Sequence, residues 1–117
     1  MEFLIANLLI SLIYILAGII TLLYPPKDIN YLYGYRTSRS MKSKDAWKAS
    51  NSFASKLMIL AGIDLLILGV ILYLIGVNDE KIWGVFTIIS VILISIMIYL
   101  LTENYLKNNF DENGNPL

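Results

Sequence analysis

A chain of 117 residues, 57% hydrophobic and only 15% charged, is at most one domain. Its charge is too sparse for an ordinary water-soluble surface, which carries about a quarter, so its natural solvent is lipid. Nine Lys and Arg balance nine Asp and Glu, and neither Cys nor His is present. That excludes disulfides and thiol chemistry, and removes the commonest general base and metal ligand together. No enzyme activity, metal, cofactor or nucleic-acid partner is expected.

Residues 3–24 carry no charge and are polar only at Asn7, Ser11 and Thr21, the tyrosines aside. As a helix they would rise roughly 33 Å, enough for a hydrocarbon core of about 30 Å. The stretch is too long for a signal-peptide apolar region and lacks a basic flank, so it reads as a retained span. Pro25 and Pro26 end it, since neither has an amide to donate.

Residues 25–53 form the polar link to the second span. Lys27, Arg36, Arg39, Lys42, Lys44, Lys48 and Lys56 lie in it or at its edge, whereas the opposite side of the predicted bundle has only Lys81. Lys and Arg in short loops stay on the cytoplasmic side. The link and the C-terminus are therefore expected in the cytoplasm and the N-terminus outside, in a multi-pass protein of the plasma membrane. Arg39, Lys42 and Lys44 are candidates for contact with anionic headgroups or with a cytoplasmic regulator.

Ser43 is a good helix N-cap with Asp45 in the following turn, which predicts either a short helix between the spans or one that runs on, bent near residues 50–55, into the second span. Trp47 and Asn51 are four residues apart and share a face of it. Gly34, just before Arg36 and Thr37, suits a tight turn. On these residues alone the link is either a basic anchor that fixes topology or a folded segment in which Arg36 and Thr37 meet the helix start.

The pattern Gly34-x-Arg36-Thr37, then Ser40-Met41-Lys42-Ser43, Trp47 and Asn51, resembles the signature of the SdpI family of bacterial membrane proteins. The resemblance covers roughly residues 31–62. The family's pattern has Pro after Arg-Thr, where this chain has Ser38, and the member that gives the family its name carries further helices. The resemblance implies an immunity protein that protects its host from a secreted, membrane-active peptide toxin. It also implies a signalling role, in which a cytoplasmic repressor is held at the membrane.

The second span is placed at residues 54–77. Asp64 near its middle costs about 2.5 to 3.5 kcal/mol on insertion scales. Its fourteen Leu, Ile and Val residues would offset that with roughly 4 to 8 kcal/mol. The span survives, but Asp64 needs company. Tyr14 and Ser90 stand at similar depth, and three readings are open: a hydrogen bond from one of them, a site that senses peptide or protons, or self-association. Ser55, Gly62, Gly69 and Gly76 recur every seven residues and make one stripe where helices approach closely. The stripe fits packing within the chain or a homo-oligomer face.

After a tight turn at residues 78–81 comes the third span, residues 82–101, making an antiparallel hairpin with the second. Residues 102–117 are polar and read as a frayed tail. The expected fold is thus all-α, a single membrane domain over residues 1–117 with three transmembrane helices, a cytoplasmic loop and a short helix between spans one and two.

Overall fold

A computed structural model describes residues 2–117 and consists of three helices: α1 (Glu2–Leu23), α2 (Lys44–Leu74) and α3 (Glu80–Asn109). Each is long and apolar enough to cross a membrane. The molecule measures 51 × 24 × 20 Å, longer than a hydrocarbon layer of about 30 Å is thick. One end, here the motif end, holds the 25–43 link and the chain past Thr102. The α2–α3 turn lies at the other, the turn end.

The helix expected from Ser43 is not a separate short element but runs on into the second span, unbroken through residues 50–55. Lys44–Leu74 is one helix of 31 residues, capped by Ser43, whose hydroxyl accepts the Ala46 N–H at 3.0 Å. No Pro or Gly interrupts it before Gly62. The serines at its centre do not compete with it, because the Ser50 and Ser55 hydroxyls donate to the Trp47 and Asn51 carbonyls of the same helix. It ends earlier than expected, in a Schellman turn: Gly76 has φ +87°, its N–H reaches the Tyr73 carbonyl, and the Val77 N–H reaches that of Leu72.

The α1–α2 seam is built on small residues. Asn7, Ser11 and Gly18 are the buried positions of α1, and they meet Gly69, Gly62 and Ser55 of α2 in antiparallel order. A Cβ on Gly62 would stand 2.8 Å from the Ser11 carbonyl oxygen and 2.6 Å from Ile15 Cγ1. One on Gly18 would stand 2.7 Å from the Ser55 carbonyl oxygen. The Asn7 amide closes over Gly69 without a hydrogen bond. At the motif end Thr21 Oγ1 and Ser55 Oγ are 2.6 Å apart. Such close approach supplies dispersion contact where lipid leaves little hydrophobic drive. Three members of the sevenfold stripe are thus used inside the chain. The fourth, Gly76, lies beyond the helix and meets nothing.

α3 is held mainly at its two ends and barely meets α1. At the turn end Trp83 stacks on Phe3, ring centroids 6.4 Å apart, and its indole N–H donates to the Val77 carbonyl. At the motif end Tyr105 stacks on Phe53 at 4.4 Å. The chain past Thr102 is ordered rather than frayed. It stays helical to Asn109, then folds back so that Leu117 N–H reaches the Asn109 carbonyl. Backbone N–H groups of Asn115 and Asn113 bond the Asp111 carboxylate and hold it below its usual range.

Candidate functional site

The motif residues converge at the start of α2. Trp47 is fully buried, and its indole N–H donates to the Pro26 carbonyl at 2.7 Å, tying the end of the first span to the second helix. One turn further, the Asn51 amide reads the backbone of Tyr35. Its Oδ1 accepts the Tyr35 N–H at 2.6 Å, and its Nδ2 donates to the Tyr35 carbonyl at 3.4 Å and to the Trp47 carbonyl at 2.9 Å. Gly34 has φ +106°, and a Cβ there would strike both Asn51 Oδ1 and Pro26. Glycine is therefore required twice over, by backbone and by space.

Thr37 and Ser40 close the next turn reciprocally. Thr37 N–H donates to Ser40 Oγ at 2.8 Å, and Ser40 N–H to Thr37 Oγ1 at 3.2 Å. Ser40 is fully buried. Arg36, between these two anchored stretches, points outward and forms no hydrogen bond or ion pair among the described residues. The expected meeting with the helix start holds for the loop backbone and not for the Arg36 side chain.

α3 completes the assembly through a residue that sequence reasoning passed over. Tyr35 OH donates to Glu103 Oε1 at 2.6 Å, and Arg39 Nε lies 3.6 Å from Glu103 Oε2. Burial, then the Glu103 carboxylate, push the Tyr35 phenol well above its ordinary value of 10.0. Ser43, besides capping α2, donates to the Gly114 carbonyl at 2.6 Å. Of the three cations singled out for headgroups or a regulator, Arg39 is thus partly engaged, while Lys42 and Lys44 are exposed. Glu103 and Gly114 each carried one signal in the sequence, though none that tied them to the motif. Glu103 is an acid placed opposite the basic link, and Asn113-Gly114-Asn115-Pro116 is a turn sequence.

Asp64 lies elsewhere. It opens into a cleft of about 340 Å³ between α2 and α3, lined by Leu57, Leu60, Leu93, Met97 and Leu101, with Ser90 the other polar side chain. No hydrogen bond joins Asp64 to Ser90 or to Tyr14, and Tyr14 does not line the cleft. Asp64 is exposed.

Three membrane-length helices with a loop knotted onto the start of the second define a small multi-pass membrane protein with a structured polar end. Residues 27–101 match the SdpI/YfhL protein family. Uncharacterized protein YfhL of Bacillus subtilis strain 168 is 39% identical over 93 residues, covering 80% of this chain and 78% of that one. No solved structure matches. The chain belongs to the SdpI/YfhL family.

Proposed function

We propose that this chain is a membrane immunity protein that protects the producing bacterium by intercepting a membrane-active peptide. The observation that carries this reading is the lateral cleft between α2 and α3. It is apolar and carries, near the middle of the second helix's apolar stretch where a charge would be costly, a carboxylate with no hydrogen bond or ion pair among the described residues. A helical, apolar peptide bearing a cation or a hydrogen-bond donor would fill the cleft and satisfy Asp64. Family membership supports the reading. The knot around Trp47 and Asn51 would hold α2 and α3 in register so that the cleft keeps its shape.

The motif end would face the cytoplasm, on the basic residues flanking the link against Lys81 alone at the turn end. A second reading, a signalling anchor for a cytoplasmic regulator, is favoured by Arg36. This side chain is exposed and unpaired on an otherwise closed knot. In that case protection would vanish in a host lacking the regulator.

The test is survival of a sensitive bacterium expressing the chain and challenged with a panel of membrane-active peptides. Protection by the native chain, reduced by Asp64→Asn at equal membrane level, is expected. Protection unchanged by Asp64→Asn removes the cleft from the mechanism.

A further inference from the structure

A second cleft, of about 340 Å³, lies beside the Phe53–Tyr105 stack and is lined by Asp45, Lys48, Ser52, Lys56 and those two rings. Its polar groups occupy one face of α2 at spacings of three, four and four residues. They descend in the order acid, base, hydroxyl, base. Ser52 differs from its neighbours: Ser50 and Ser55 bond back to their own helix, while the Ser52 hydroxyl has no hydrogen bond among the described residues and is only half-buried. Among the described residues neither lysine nor Asp45 is in an ion pair.

The depth of this cleft follows from the Thr21–Ser55 contact, which sets residues 52–56 level with the last turn of α1. There the apolar helix gives way to the Pro25-Pro26 link, at the height of the headgroups. Above, the cleft is polar. Below Lys56 the same face continues as Leu60, Ile63 and Ile67, four, seven and eleven residues on, all exposed. Helical side chains lean toward the N-terminus, so the Lys56 stem rises from the apolar face toward Ser52.

We propose that this cleft binds the headgroup of a glycerophospholipid whose terminal group can donate a hydrogen bond. The phosphate sits over Ser52 between the Lys48 and Lys56 ammonium groups. The terminal ammonium or hydroxyl meets the Asp45 carboxylate, and the acyl chains lie along Leu60, Ile63 and Ile67. Phosphatidylethanolamine and phosphatidylglycerol satisfy this pattern. Phosphatidylcholine supplies the phosphate but has no donor for Asp45. Leu60 borders the Asp64 cleft as well, but Asp45, Lys48, Ser52 and Lys56 line this cleft alone, so substituting them leaves the lining of the Asp64 cleft intact and separates lipid binding from peptide capture.

The experiment is native mass spectrometry of the full chain with each of these three lipids, matched in acyl chains. Phosphatidylethanolamine and phosphatidylglycerol should outbind phosphatidylcholine. Lys48→Gln with Lys56→Gln should weaken both by about tenfold or more, while Lys81→Gln at the turn end leaves them unchanged. Asp45→Asn should narrow the gap to phosphatidylcholine. Ser52→Ala, a mild change at a half-exposed helical site, should weaken binding without affecting the fold. Equal binding of all three lipids, or full retention in both the double-lysine and Ser52 variants, would overturn the proposal. So would displacement of the lipid by inorganic phosphate at equal concentration.

Discussion

The Asn51 side chain pairs with the backbone of Tyr35 from both sides, accepting its N–H at 2.6 Å and donating to its carbonyl at 3.4 Å. A carboxamide can do this because it carries an acceptor and a donor in one plane, as a neighbouring peptide would. The link between the first two helices is folded by this substitute for a strand partner.

Replacing Asn51 with Leu should therefore leave a Tyr35 N–H unpaired and cost about 1–3 kcal/mol locally. Hydrogen exchange of the 34–41 backbone should accelerate in the variant while the interior of α2 stays protected. Unchanged exchange at Tyr35 would mean that the contact does not order the link.

Trp47 combines packing with one directed bond, and two substitutions separate them. Trp47→Ala should cost about 3–5 kcal/mol, the range for emptying a large buried aromatic site. Trp47→Phe keeps much of the volume and loses the bond to the Pro26 carbonyl, for about 1–3 kcal/mol. Chemical unfolding in detergent should rank the three chains in that order.

How far such residues could be read in advance depended on distance along the chain. The Ser43 cap, the shared face of Trp47 and Asn51, and the glycine turn at Gly34 are local rules, and they were legible. So was the small-residue stripe, although Gly76 follows the same period for another reason: it lies past the helix end, where a positive φ is needed. The partners Pro26, Glu103 and Gly114 were not legible, because each comes from another element and no spacing rule links them to the motif. Asp64 was recognised as an expense, but its neighbours were assigned by depth alone. Depth does not say which way a side chain points, and the bond to Tyr14 or Ser90, one of the three readings left open for Asp64, is not made.

The seam glycines should tolerate no side chain. Gly62→Ala would press a Cβ against the Ser11 carbonyl and Ile15, costing about 1–3 kcal/mol through overpacking. Gly84→Ala is the control. A Cβ there meets nothing, and helix propensity favours Ala by up to about 1 kcal/mol. Thermal unfolding should therefore move in opposite directions for the two variants.

Alkaline pH should weaken the motif end through Tyr35. Its phenol titrates above 10.0 in the folded chain, through burial and then Glu103. The folded state thus holds the proton more tightly than the unfolded state. The resulting stability is complete below pH 10.0 and is lost as pH rises through the elevated value. Tyr35→Phe cannot ionise, so its stability should fall less steeply across that alkaline range. Parallel curves for the two chains would remove Tyr35 from the linkage.

The most direct test of peptide interception is crosslinking inside the cleft. A photoreactive residue placed at Leu93, which lines the Asp64 cleft, is compared with one at Ile13 on the outer face of α1. Both chains are exposed, in membranes, to a peptide against which the native chain protects. Interception at the cleft predicts adducts from position 93, few from position 13, and loss of the former in Asp64→Asn. Equal labelling from both positions, or none from position 93 in a chain that still protects, would contradict it.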